Sequence, residues 1–199
     1  MPSIAKYPGT GTSENVGLGT IAWTSPGSIT ASDNVDASIA LTTTNFLSEY
    51  LFATNFNFGI PGLASIDGFI VTYERFCDTI RSVQDSKMYL VLDGNLDGVW
   101  KNGAYWNVTS SFDTFGSPTD KWGLAGLTPD EVNASNFGVA LECQFGDVYA
   151  TTVFGNVDSV EMIVYYTLYG IKYATTSITN VYYGTTEIQK IYHESTQIG

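Results

Sequence analysis

The sequence predicts an all-β, antiparallel fold, a β-sandwich or barrel carrying a C-terminal β ribbon. Three observations point there. From Trp23 onward, short apolar segments are broken by Gly, Pro, Asn and Asp roughly every ten residues, the spacing of strands and turns. Charged residues make up only 14% of the 199-residue chain, against roughly 25% in soluble globular proteins, so Thr, Ser and Gly carry the polar surface and favour strands over helices. Finally, residues 136–144 alternate Phe137, Val139, Leu141 and Cys143 with Gly138, Ala140, Glu142 and Gln144, one face large and apolar, the other small or polar. The length suits one large β domain or one domain with an appendage, and it can bury a core without staples.

Residues 1–20 are rich in Gly, Ser and Thr with no sustained periodicity, which predicts an N-terminal arm or a first edge strand. Residues 21–167 form the expected β-sandwich domain. Within it, residues 69–75 (FIVTYER), 87–92 (KMYLVL), 148–154 (VYATTVF) and 157–167 (VDSVEMIVYYT) read as strands, the last with the β-branched and aromatic content of a central one. The run Asp93-Gly-Asn-Leu-Asp-Gly98 supplies turn chemistry, so a hairpin joins KMYLVL to the residues after Gly98. Thr128 with Pro129 and Glu131 spells a capping box and predicts one or two helical turns.

Residues 168–199 behave differently. Ile178, Val181 and Tyr182 recur ten residues later as Ile188, Ile191 and Tyr192, and the pattern closes on Ile198. Two copies are too few for a solenoid. A strand-turn-strand ribbon follows, docking through these seven residues on the main domain or a neighbouring chain, its open edges favouring strand addition.

The chemistry that the chain excludes is informative. Twenty Asp and Glu against eight Lys and Arg give a net charge of −12, with no basic run to neutralise phosphates, so nucleic acid is not a partner. A single histidine, His193, removes His-based triads and multi-His metal sites. Neither a run of eighteen apolar residues nor the basic start and apolar run of a signal peptide is present, which predicts a soluble product made in a cytoplasm, with no membrane partner. Cys77 and Cys143 are too few for a disulfide scaffold and wrongly spaced for zinc, and read as buried thiols. An immunoglobulin-like bridge between them lacks the expected tryptophan soon after the first cysteine.

Asp93-Gly-Asn-Leu-Asp-Gly98 matches the first six places of an EF-hand loop, but Ala104 stands where the bidentate Glu belongs, so a hairpin turn is the reading and no metal or cofactor is expected. Asp33/Asp36, Asp130/Glu131 and Glu74/Asp78 are paired carboxylates in name only, and Glu74 with Arg75 reads as a cross-strand ion pair; no catalytic residue is expected. The aromatics Trp100, Tyr105, Trp106 and Trp122 fall in the loop-rich middle, where they form either a glycan-facing platform or, more simply, core and interface.

Several runs together resemble a domain common in tailed-phage and prophage structural proteins. They are Trp23-Thr-Ser-Pro26 with Ile29 and Ser32-Asp-Asn34, then Tyr50-Leu-Phe-Ala-Thr-Asn-Phe-Asn-Phe-Gly-Ile-Pro61, Ile66-Asp-Gly68 and Val71-Thr-Tyr-Glu-Arg75. Asp120-Lys-Trp-Gly123, residues 133–141 and Val164-Tyr-Tyr-Thr167 continue it, and VYYGTTEIQKIYHESTQI is similar to short repeats at the ends of phage virion proteins. The resemblance implies a jelly-roll-like β-sandwich in a virion, assembled in the host cytoplasm, with no enzymatic residues to carry over. It implies a capsid decoration or cement protein, or a tail or fibre component, that docks on other virion proteins through its terminal segments. Homo-oligomerisation, as a trimer by analogy with spikes and decorations, would hide the ribbon edges. The alternative is a module of a tail fibre that binds host-surface polysaccharide through residues 100–122.

Overall fold

The structure is a computed structural model that describes residues 1–146 and 151–168 in full, and the backbone of residues 182–183, 186–187, 192–193 and 196–197. The chain divides into two units, Met1–Tyr169 and Gly170–Gly199.

The first unit is a jelly-roll-like antiparallel β-sandwich of two five-stranded sheets. One sheet contains β1 (Ser3–Lys6), β3 (Ala37–Thr42), β5 (Ala64–Cys77), β8 (Ser111–Ser117) and β10 (Thr152–Leu168). The other contains β2 (Thr10–Glu14), β4 (Tyr50–Thr54), β6 (Val83–Leu92), β7 (Asn95–Lys101) and β9 (Gly138–Phe145). Successive strands alternate between the sheets except at the β6–β7 hairpin, so nearly every connection crosses the core. The first sheet runs β1-β10-β5-β8, with β3 also paired to β10; the second runs β2-β4-β9-β6-β7. Residues 3–6 and 10–14 are thus edge strands, one in each sheet, and belong to the sandwich.

Alternation places the apolar halves of the strands inside. Phe69, Val71 and Tyr73 of β5 meet Val139 and Leu141 of β9, with Met88 and Leu90 of β6 and Val160, Met162 and Val164 of β10 in the same core. Two features differ from the sequence expectation. The segments 148–154 and 157–167 are not two strands: β10 runs unbroken over Thr152–Leu168, with register shifts at Val157/Ser159 and Tyr165/Tyr166, because one long apolar alternation can follow a twisted sheet if bulges absorb the mismatch. Residues 147–150 lie outside the described ones. The hairpin turn is shorter than Asp93-to-Gly98. Asp93 (φ 51°) and Gly94 (φ 76°) alone make it, both left-handed as a type I′ turn requires, and Asn95 to Asp97 already pair in β7.

The helix α1 (Pro129–Asn133) has the expected capping box: Glu131 N–H donates to Thr128 Oγ1, while Thr128 N–H donates to Glu131 Oε2 at 2.8 Å. Cys77 and Cys143 are free and buried, one in each sheet. Burial pushes the Cys143 thiol up to about 12. In the second unit, β11 (Tyr182–Tyr183) pairs with β12 (Thr186–Glu187), and β13 (Tyr192–His193) with β14 (Thr196–Gln197), two short hairpins in the expected ten-residue phase. Ile178, Val181, Ile188, Ile191 and Ile198 and the side chains of Tyr182 and Tyr192 lie outside the described residues.

One polar cluster ties the two sheets. Arg75, on β5 and 1% exposed, forms an ion pair through Nη1 with Asp85 of β6, and donates from Nε and Nη2 to Asp113 Oδ2 of β8 at 3.2 and 3.0 Å. Trp106 Nε1 donates to the same Asp85 oxygen at 2.9 Å, and the guanidinium lies 4.9 Å from the Trp106 ring centroid. The carboxylate that Arg75 pairs with on the adjacent strand is therefore Asp113, diagonal to it in register, and Glu74 faces the opposite side. Burial pushes the Asp85 carboxyl above its ordinary value, against the pull of Arg75 and the bonds from Arg75 and Trp106. Removing one partner strands the other in the core, so Asp85→Ala is expected to destabilise the sandwich by about 3–5 kcal/mol. Urea denaturation should show Arg75→Met/Asp85→Leu recovering much of that loss; a double variant at least as unstable as Asp85→Ala contradicts this account.

Candidate functional site

The outer face of the second sheet is built by the alternate residues of its strands. β-Pairing aligns Thr12, Phe52, Ala140 and Tyr89 in one row across four strands, and Thr10, Thr54, Gly138, Val91 and Leu96 in a neighbouring row across five. Tyr50, Phe52, Val91 and Ala140 form a second buried cluster there, with Tyr89 and Leu96 against it. Apolar outward residues need a cover, and the segment after β2 supplies part of it. At Gly17 a Cβ would stand 2.6 Å from the Tyr50 ring and 3.1 Å from Glu142 Oε1, so only glycine lets the chain lie this close.

Beyond this cover lies a groove of about 440 Å³. Its apolar lining is the exposed Val16 and a small patch of Phe52, which is 5% exposed. Thr10, Thr12 and Glu14 from β2 and Thr54 and Asn55 from the end of β4 line one part, Gly94, Ser135 and Asn136 another. In the row Thr10–Thr54–Gly138–Val91, Gly138 projects no side chain between its neighbours. The rim is held in place. Asn136 Nδ2 donates to Asp93 Oδ1 at 2.8 Å, its carbonyl accepts from Gly94 N–H at 3.2 Å, and Asn55 O accepts from Gly9 N–H at 3.0 Å. A second hollow of about 280 Å³, lined by Leu92, Asp93, Glu131, Ala134 and Asn136, shares Asn136 with the first. Hydroxyls, amides and a carboxylate around a small apolar patch can bind a ligand rich in hydroxyl groups.

Of the four aromatics read as core and interface or, alternatively, as a glycan-facing platform, two lie in the core. Trp106 (1% exposed) and Trp122 (0%) are core residues, so neither can face a ligand. They are buried because Trp106 reaches Asp85 between the sheets, and because Trp122 sits under Lys101, whose Nζ lies 4.9 Å from its ring centroid. Tyr105 is half-buried under the Arg81 guanidinium, and Trp100 is exposed at the β7 edge, where residues 98–100 bulge opposite Tyr89. The groove residues come from segments distant in sequence, so no local pattern marks them as a group. One local signal was legible: Tyr50-Leu-Phe-Ala is apolar on both strand faces, which marks a strand buried on both sides.

The candidate acid pairs are also rearranged. Glu131 caps its helix, and Asp78 accepts from Ser82 Oγ at 3.3 Å. Glu74 pairs instead with Asp158, the extra residue of a β10 bulge. Ser32, Ser110 and Ser159 all donate to Glu74, at 2.7, 3.1 and 3.2 Å. Asp158 Oδ1 accepts from Asp33 N–H at 3.4 Å, while its Oδ2 is buried without a donor. Burial, then the Glu74 bond, pushes the Asp158 carboxyl above its ordinary value; burial opposes but does not prevent the bonds from Ser32, Asp158, Ser110 and Ser159 holding Glu74 below its own. Among the described residues, no group of three or more acidic, His or Cys side chains could hold a metal.

No protein-family model and no curated protein matches the chain. Among solved structures it is similar to one described as "CBM4 structure and function", at 12% identity and a TM-score of 0.39, covering 80% of this chain and 92% of that one. It is also similar to a putative sugar binding protein from Bacteroides thetaiotaomicron VPI-5482, at 8% identity and a TM-score of 0.33, covering 81% and 86%. At these values neither likeness bears on what this chain binds.

The Asp158 contribution to stability is full below the ordinary value of 3.8 and fades as pH rises through the higher folded value; the Glu74 contribution runs the other way, fading as pH falls below 4.5. Asp158→Asn replaces the proton-bearing oxygen with a permanent donor. Between about pH 4 and pH 8, Tm should therefore fall more in the natural protein than in the Asp158→Asn variant. Parallel Tm curves would rule out a shared proton.

Proposed function

We propose that the sandwich is a saccharide-binding module whose site is the groove beside Phe52. One observation carries the reading: hydroxyl and amide groups of Thr10, Thr12, Thr54, Asn55, Ser135 and Asn136 line one groove on strands and tight turns, with apolar contact from the exposed Val16 and the small uncovered part of Phe52. Sugars present hydroxyls around apolar C–H faces, so such a lining matches them group for group. A site on rigid strands also loses little entropy on binding. None of residues 100–122 lines the groove.

Isothermal calorimetry against a glycan library tests this. Thr54→Trp, which fills the groove, should abolish binding without lowering Tm, while Trp100→Ala should leave it intact. The reverse pattern would move the site to the β7 edge. Calorimetry is the right readout because no tryptophan lines the groove.

A second reading has its own support. A virion structural component that docks through its terminal segments accords with the phage resemblance and with two hairpins repeated in ten-residue phase. A two-stranded hairpin by itself is at best marginally stable in water, so each gains from a partner surface. On this reading the partners are neighbouring virion subunits and further copies of the chain. Sedimentation should then show an oligomer that Ile188→Asp and Ile198→Asp weaken, and a monomeric natural chain would count against self-association.

A further inference from the structure

Resting on the saccharide reading, we infer that the groove takes uncharged or amino-bearing sugar chains more than one unit long and rejects polyanionic ones. Two observations carry this. The hollows of about 440 and 280 Å³ share Asn136, so a ligand filling the first continues into the second past that side chain. Asn136 is fixed there by its bond to Asp93, and its amide oxygen is the acceptor left for a ligand between the two.

The electrostatics set the class of chain. Glu14 lines the first hollow and Asp93 and Glu131 the second, while neither lining contains Lys, Arg or His. The Glu131 carboxyl is held below its ordinary value by its backbone and side-chain bonds to Thr128, so it stays ionised through the neutral range. A net charge of −12 adds a repulsive field around the whole chain. A uronate, sialate or phosphate-bearing unit would lose hydration against carboxylates with no cation to receive it. A neutral hydroxyl donates to the same carboxylates, and an ammonium group does so with added attraction.

A glycan array spanning neutral, amino-bearing and acidic chains of graded length, probed with the full chain at physiological ionic strength, tests the inference. Signals confined to neutral and amino-bearing chains, rising with chain length, are expected. Acidic chains bound as tightly as neutral ones would overturn the charge selection while leaving the saccharide reading in place. A monosaccharide bound as tightly as its oligomer would overturn the use of the second hollow. Silence across the array would remove the saccharide reading, and the inference with it. Glu14→Gln/Glu131→Gln provides the internal check. Gln at position 131 keeps the capping box, so the fold is retained, and the neutral-to-acidic preference should shrink by about threefold or more. An unchanged preference would show that these carboxylates do not set it.

Discussion

The buried guanidinium of Arg75 is the constraint around which the sandwich is arranged. It is carried by one sheet and neutralised partly by its own sheet, through Asp113, and partly by the other, through Asp85. The second sheet alone would hold Asp85 uncompensated on its inner face, and the first would leave Arg75 with Asp113 as its one carboxylate. A hydrophobic core accepts many pairings of apolar rows, whereas a buried ion pair accepts one. The same contact explains the path of the chain before β8. Trp106 is drawn inward to donate to Asp85, its N–H bonds to Val83 O at 2.8 Å, and its carbonyl accepts from the Cys77 thiol at 3.2 Å. The connection from β7 to β8 is thereby pinned to the starting end of β6 and the finishing end of β5.

With the inner faces fixed, the two outer faces take different roles. The outward side of the first sheet gathers carboxylates, where burial and then Glu74 push Asp36 and Asp158 above their ordinary values, and where three serines donate to Glu74. The second turns aromatic residues outward and covers part of them with its own chain at Gly17. The groove is the uncovered remainder of that face. Its carboxylates and its small apolar patch are therefore consequences of how the second sheet is roofed.

Local chemistry was the most legible part of the sequence. The Thr128–Glu131 capping box involves four consecutive residues, and its bonds form inside that span whatever surrounds it. Asp93-Gly94 similarly dictates a tight hairpin, although the sequence alone overstated its length, because Asn95 and Asp97 have turn propensity yet are held in β7 by pairing with Leu92 and Leu90. The alternation of Val139, Leu141 and Cys143 fixed which face of β9 points inward, but not that Gly138, Ala140 and Glu142 would also be covered. Amphipathic residues were the least legible. Trp106 and Trp122 sit among turn-forming neighbours that suggest exposure, and only long-range partners bury them.

By itself, the sequence determined the β class, the apolar face of the central strands, the capped helical turn, the hairpin, and the ten-residue phase of the terminal strands. All depend on residues within about one element's length of each other, where propensity and periodicity act directly. Only the tertiary structure decided that Arg75 reaches Asp85, that Glu74 meets Asp158, and that threonines and asparagines from β2, β4 and the loop before β9 surround Phe52. These juxtapositions depend on strand order and register across two sheets. A chain with a period of two states which side each residue takes, but not which strand will lie beside it.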